Sequence, residues 1–229
     1  MPLEVARPRS RFASVVGLIV ALGSAFLIPF LPGQAHQNIA DARQDTVLLA
    51  FEWFIALAIL TIVVFWERLP LRSIGFRSAS PRDFIWMGVA FAGMFVALGV
   101  YGALTHASGS TVGGITPAQI ATVPLVLRIA LFLTAGFCEE LMFRAYAIER
   151  LALFTGNLWL GGAAAVVLFT LGHLPRYGFS YDLVGVAVIA LFLTALYLKT
   201  RNFWLCAYMH AFIDCIGLVV VPALAVHHL

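Results

Sequence analysis

The sequence predicts an all-α membrane protein, a polytopic bundle of about seven or eight transmembrane helices, and three observations carry that reading. Its 229 residues are 62% hydrophobic and 11% charged, with a mean hydropathy of +0.98, whereas a soluble domain carries roughly 25% charged residues. The apolar residues fall in several runs long enough to cross a bilayer core of about 30 Å. The short alternating segments of a membrane barrel are absent, and a lipid-exposed backbone must satisfy its own hydrogen bonds, so the runs are helices.

Unbroken apolar stretches bounded by charge, Pro and Gly define the spans 12–32, 46–66, 84–105, 122–150, 157–175, 182–199 and 203–222. The first follows Arg7, Arg9 and Arg11. Its apolar run from Phe12 to Leu31 exceeds a signal-peptide core and no small-residue cleavage site follows, so it is read as a retained helix. The second and third spans are joined by residues 67–83, a basic connector suited to anionic headgroups and otherwise an ordinary positive-inside loop. Residues 107–120, uncharged and Gly-rich, are expected to form a mobile external loop.

Orientation follows from the cations. Arg7, Arg9, Arg11, Arg68, Arg72, Arg77, Arg82, Arg150, Lys199 and Arg201 fall on one side, against Arg43 and Arg176 on the other. The N-terminus is therefore expected in the cytoplasm and, with seven spans, the C-terminal Val226-His227-His228-Leu229 outside. An Ala- and Arg-rich, Lys-poor composition points to a bacterial inner membrane. The net charge is only +3 and 13 of the 14 cations are Arg spread over short loops, not the clustered face that a nucleic-acid partner needs. Cys138, Cys206 and Cys215 lie in apolar runs as small hydrophobes and imply no disulfide framework. No fixed-period repeat and no matched pair of Gly/Pro-interrupted segments supports an inverted-repeat transporter.

Ionisable groups inside spans are costly, so each is a functional hypothesis. Glu139 and Glu140 are adjacent on the fourth span, and successive helix positions differ by about 100°, so the two carboxylates are expected to point apart and not to share a partner. Glu140 and Arg144 stand four apart in the favourable order and form an ion pair. Glu139, facing elsewhere, is a candidate general base. With a turn near 153–156, Glu139 and His173 both lie roughly 20–25 Å from it at 1.5 Å per residue. His210 and Asp214, one turn apart on the seventh span, lie roughly 12–18 Å from its start. All four can meet in one internal cavity. Arg128 is read as interfacial or snorkelling, and Glu52 and Cys138 as residues without a visible partner.

Glu-Glu-x-x-x-Arg at 139–144, Phe-x-x-x-His at 169–173 and His-x-x-x-Asp at 210–214, in this order on successive helices, resemble the CPBP family of intramembrane proteases, the CAAX prenyl endopeptidase and bacteriocin-processing group. The resemblance covers about residues 120–222, and Ile74-Gly75-Phe76-Arg77 is similar to a connector that often precedes the core in that family. It divides the chain into N-terminal helices over 1–119, a catalytic core over 120–222 and a short tail over 223–229. It implies that Glu139 and His173 activate a water for attack on a peptide carbonyl, that His210 and the residue four on stabilise the oxyanion, and that Glu140 with Arg144 holds the site together. Better-described members carry Asn where this chain has Asp214. An ionised Asp only accepts hydrogen bonds, so Asp214 is expected to orient His210 and leave its other nitrogen as donor.

The expected function is an intramembrane endopeptidase acting on a membrane-tethered peptide or protein, prenylated or not, within the bilayer. No cofactor is favoured. Zinc is the alternative, with Glu139, His173 and His210 as ligands. A non-catalytic scaffold or an immunity or secretion partner of the same fold is the second reading, and a proton-coupled transporter using Glu139 and Asp214 the third.

Overall fold

In the computed structural model, residues 8–30, 42–105 and 116–227 are described, and they form helices and short turns with no strand among them. Helix α1 (Arg11–Leu27) starts at Ser10, whose hydroxyl accepts from the Ala13 amide at 3.3 Å, and a 3₁₀ turn, Ile28–Phe30, extends it. Its buried side is built of small residues, among them Ala13, Ser14, Gly17, Ala21 and Ser24. Such faces let membrane helices approach closely where no hydrophobic effect drives them together. A Cβ on Gly17 would stand 1.9 Å from the Tyr146 hydroxyl, so that phenol is seated against bare backbone.

Helix α2 (Ala42–Thr61) continues through a π-helical turn, Ile62–Trp66, and α3 spans Pro81–Thr105. Helix α4 (Pro117–Ala121) is a single turn with a capping box, the Thr116 hydroxyl accepting from the Gln119 amide at 3.3 Å and the Gln119 side chain accepting from the Thr116 amide at 2.9 Å. The stretch 107–120 expected as a loop therefore ends in a helix, and its residues 107–115 lie outside the described ones. Helix α5 (Leu125–Thr134), a π-helical segment Ala135–Ile148 and α6 (Glu149–Thr155) follow one another without a break.

Gly156, left-handed at φ +69°, turns the chain, and the Asn157 carboxamide oxygen accepts from the Trp159 amide at 2.9 Å to start α7 (Leu158–Tyr177). Helix α8 (Tyr181–Thr200) is capped by Ser180. Helix α9 (Phe203–Cys215) runs through a π-helical turn, Ile216–Val220, into α10 (Val221–His227). The last expected span thus ends five residues later than 222. Each of the seven expected stretches is helical, and five helices among the described residues are long and apolar enough to cross a membrane: Arg43–Trp66, Pro81–Leu104, Leu158–Tyr177, Tyr181–Thr200 and Phe203–Ala225. Of the other two, α1 is short, and the rod over 125–155 carries Arg128, Glu139, Glu140, Arg144, Glu149 and Arg150. That rod lies against α1, α2, α7 and α9, whereas Phe54, Ile85, Val126 and Trp159 remain exposed on faces suited to lipid.

The connector 67–83 is built into the fold and is not a loose basic loop. Glu67 and Arg150 are fully buried and paired: Arg150 Nε lies 3.0 Å from each Glu67 carboxylate oxygen and Nη2 2.7 Å from Oε2. The Ser14 and Tyr146 hydroxyls donate to the same carboxylate at 2.6 and 3.0 Å. Gly75, at φ +83°, brings its carbonyl to the Phe203 amide at 2.9 Å, and a Cβ there would stand 3.0 Å from that nitrogen. Arg77 donates to the carbonyls of Thr200 and Arg201, and the buried Asn202 returns a bond to the Arg77 carbonyl at 3.1 Å. Arg201, left-handed at φ +44°, is held besides by Glu149, whose carboxylate accepts from its guanidinium and from the Tyr197 hydroxyl at 3.1 Å. Polar bonds at one end of the bundle thus lock the rod, the connector and the α8–α9 turn.

Removing one partner of a buried pair leaves an uncompensated charge, which costs about 3–5 kcal/mol, while replacing both with apolar residues is far better tolerated. Arg150→Met is therefore expected to lower the melting temperature sharply in thermal unfolding of the detergent-solubilised protein. Glu67→Leu combined with Arg150→Met should recover much of the loss, and a double variant no better than the single would contradict this account.

Candidate active site

The site is organised by a carboxylate with no exposed surface. Glu140 Oε1 lies 2.8 Å from Arg144 Nη1, one helical turn on, and 2.8 Å from His210 Nδ1 on α9. Since a carboxylate only accepts, Nδ1 carries the proton, an assignment made from the hydrogen-bond network. The opposite ring nitrogen, Nε2, stands 3.9 Å from Glu139 Oε2 and 3.6 Å from Asp214 Oδ2, beyond direct hydrogen bonding.

Two sequence expectations are corrected here. Glu139 and Glu140 do face one group, the His210 imidazole, from its two nitrogens. The 100° argument assumed an α-helix, whereas Ala135–Ile148 is π-helical, with more residues per turn and less rotation between neighbours. The residue that orients His210 is Glu140 and not Asp214, which is beyond hydrogen-bond distance on the other side of the ring.

Close helix contact makes this possible. A Cβ on Gly136 would stand 2.8 Å from the Ala207 carbonyl oxygen, so the π-helical segment and α9 touch backbone to backbone just below the Glu140–His210 bond. Arg144 leaves Nε and Nη2 without a hydrogen bond, but its guanidinium lies 4.2 Å from the Phe169 ring centroid, a cation–π contact that offsets part of the burial.

Phe169 is the residue that sequence reasoning left without a task. Its ring also packs edge-on to Phe143 at 5.0 Å and lies 4.5 Å from the His173 ring and 6.1 Å from that of His210. Its carbonyl accepts from His173 Nδ1 at 2.8 Å. The i to i+4 spacing of Phe-x-x-x-His explains this bond: one turn places the imidazole over the preceding carbonyl, fixing the tautomer that leaves Nε2 with a free lone pair. Helix spacing could have flagged it; the aromatic packing was invisible in the sequence.

Glu139, His173, His210 and Asp214 line one cavity of about 520 Å³ inside the bundle. Glu140 and Arg144 stand behind its wall, fully buried. The cavity extends towards the end of the bundle where α2 begins and α3 and α7 finish, with Asp45, Tyr101 and Arg176 along its sides. Arg128 and Glu52 belong to the lining as well. Arg128 donates from Nη1 to the Leu218 carbonyl at 3.0 Å, in the π-helical turn that follows α9, so it is internal and not snorkelling to an interface. The thiols of Cys138 and Cys206 are free and buried.

The zinc alternative can be tested against the donors. Among the described residues, no group of three or more His, Cys, Asp or Glu side chains is placed to hold a metal ion, so Glu139, His173 and His210 do not form a preassembled ligand set. What the arrangement offers is a carboxylate with an unbonded oxygen, Glu139 Oε2, an imidazole lone pair on His173, and a second imidazole flanked by carboxylates.

These features define an integral, polytopic helical membrane protein, in contact with the bilayer, with a polar Glu/His cavity between its helices. Residues 121–216 match the family model described as Rce1-like, type II CAAX prenyl endopeptidase. The UPF0177 protein YvdC of Lactococcus lactis subsp. lactis (strain IL1403) is 27% identical over 226 residues, covering 92% of this chain and 83% of its own length. Both findings are consistent with a CPBP-family protein, and at the family level they support a CAAX-type intramembrane protease. No solved structure matches the chain significantly.

The two glutamates should separate in stability. Glu140→Gln strips the countercharge from buried Arg144 and should cost about 3 kcal/mol or more. Glu139→Gln removes a carboxylate whose Oε2 makes no bond and should leave the melting temperature nearly unchanged. Differential scanning fluorimetry of both variants checks this, and equal losses would refute the division between a glutamate that bridges Arg144 and His210 and one that does not.

Proposed function

We propose that the chain is an intramembrane endopeptidase that hydrolyses a peptide bond of a membrane-tethered substrate, prenylated or not, with water activated by Glu139 and His173. The observation that carries this reading is the shared cavity: the Glu139 carboxylate, the His173 imidazole with a fixed tautomer, and a donor-capable His210 all line one volume inside the bundle.

Glu139 takes a proton from water as it adds to the carbonyl carbon, and His173 Nε2 orients that water. The oxyanion that forms is met by His210 in its doubly protonated state, with Nδ1–H held by Glu140 and Nε2–H facing the cavity. Asp214 beside Nε2 compensates that imidazolium throughout, and Glu139 does so until it takes the proton. The proton on Glu139 then passes to the departing amine as the C–N bond breaks. No step in this scheme uses a metal. Asp214 serves here as countercharge to His210, a task Asn would fill only as a neutral dipole.

A general base contributes roughly 10²–10⁴-fold. Glu139→Ala and His173→Ala, in lipid and tested on quenched fluorescent peptides with and without a prenyl group, are each expected to lose at least a hundredfold in kcat/KM. Chelator should leave the wild-type rate unchanged. A folded wild-type protein that binds such peptides and cuts none would favour the non-catalytic scaffold.

The cation count puts the Arg-rich connector and the N-terminus in the cytoplasm, and the cavity extends to the opposite end of the bundle, so the substrate would enter from the outer face of a bacterial inner membrane. Labelling with a membrane-impermeant maleimide in intact cells tests this side. Tyr181→Cys, at the exposed start of α8, should react and Arg72→Cys should not. The reverse pattern would invert the topology.

A further inference from the structure

Glu52 sits on α2, outside every motif of the site, and is 6% exposed. It lines the same cavity as Glu139, His210 and Asp214, and no hydrogen bond to its carboxylate is seen among the described residues. Its place is fixed by its neighbour: Trp53 Nε1 donates to the Thr134 hydroxyl at 3.1 Å and the indole stacks on Phe137 at 5.2 Å. That clamp ties α2 to the segment that carries Glu139.

The charged groups acting on Glu52 are Glu139, His210, Asp214 and Arg176. Of the cations that line the cavity, His210 is engaged by Glu140, Arg128 by the Leu218 carbonyl, and Arg176 lies at the exposed end of α7 beside the Tyr177 ring, 5.5 Å from its centroid. The cavity is lined by five carboxylates, Asp45, Glu52, Glu139, Asp182 and Asp214, against Arg128, Arg176 and His210, so it is acidic on balance. A buried carboxylate without a partner is costly to ionise, and a cation brought into the cavity would stabilise its charged form.

We propose that Glu52 is a specificity residue that receives a cationic side chain, lysine or arginine, of the peptide segment entering the cavity. This rests on the endopeptidase reading for its biological meaning, but not for its test. Segments with a single cation near the scissile bond would be selected over neutral ones, and acidic ones rejected by the same carboxylates.

The test measures binding in an uncleaving background that retains every carboxylate. His173→Ala protein in nanodiscs of zwitterionic lipid is titrated with fluorescein-labelled apolar decapeptides that carry one central Lys, Gln or Glu. Fluorescence anisotropy should show the Lys peptide binding at least tenfold tighter than the Gln peptide and the Glu peptide weakest. Adding Glu52→Gln should bring the Lys/Gln ratio to about one, while Glu52→Asp, which keeps the charge, should retain a preference.

Equal affinities, no saturable binding of any peptide, or a ratio unchanged by Glu52→Gln would overturn the proposal. Should Glu52→Gln fail to fold, the Lys/Gln ratio of the His173→Ala protein and its change in Glu52→Asp still decide. Charge-selective binding without cleavage by the wild type would count against the endopeptidase alone; cleavage without charge selection would count against the role of Glu52 alone.

Discussion

The structure depends on one buried carboxylate that answers two cation-capable groups. Glu140 bridges Arg144 on its own helix and His210 on α9, each at 2.8 Å, with no water-exposed surface. Taking such charges out of water is expensive, and their attraction repays it only if the geometry is good and the remaining donors are used. Here Arg144 spreads its charge over the Phe169 ring, and His210 keeps Nε2 for the cavity. The same carboxylate that neutralises Arg144 therefore holds His210 Nδ1–H and sets the orientation of a ring that lines the cavity. One atom, Glu140 Oε1, thus serves both the buried ion pair and the placing of the His210 ring.

The rod over 125–155 follows this rule along its whole length. Arg128 ends on the Leu218 carbonyl, Glu140 on Arg144 and His210, Glu149 on Arg201 and Tyr197, and Arg150 on Glu67. A segment with six ionisable groups crosses the bundle because other helices surround it. Satisfying its charges forces neighbours into register: Glu67 and Ser14 at one end, His210 in the middle and the turn after α9 at the other. The polar residues thus specify which helices pack together, a task that apolar contacts perform poorly when lipid is as apolar as the helix surface.

Much of this was legible in the sequence. Apolar run length located all seven helical stretches, and the Glu140–Arg144 pair followed from i to i+4 spacing. The depth estimate brought Glu139, His173, His210 and Asp214 to one cavity because antiparallel helices joined by a short turn must match in level. Three things were not legible. Spacing rules assume α geometry, so a π-helical segment was invisible and the shared approach of Glu139 and Glu140 to His210 was missed. Cation counting treats connectors as solvent-exposed, so Glu67 and Arg150, distant in sequence, could not be seen to pair. Glu52 showed no partner within its own helix, and only the tertiary fold reveals that it faces the cavity.

The π-helical segment also explains why the site is asymmetric. Widening the helix over Ala135–Ile148 aims adjacent glutamates at the two nitrogens of one ring, and the difference between 2.8 Å and 3.9 Å then divides their tasks. The nearer carboxylate is consumed by a permanent bond and holds the ring. The farther one stays beyond hydrogen-bond distance of the ring, and its side chain lines the cavity. A wide helical turn, at the cost of less favourable backbone bonding, thus supplies a pinned and an available carboxylate from neighbouring residues, and the deep Glu/His chemistry proposed for this chain requires both.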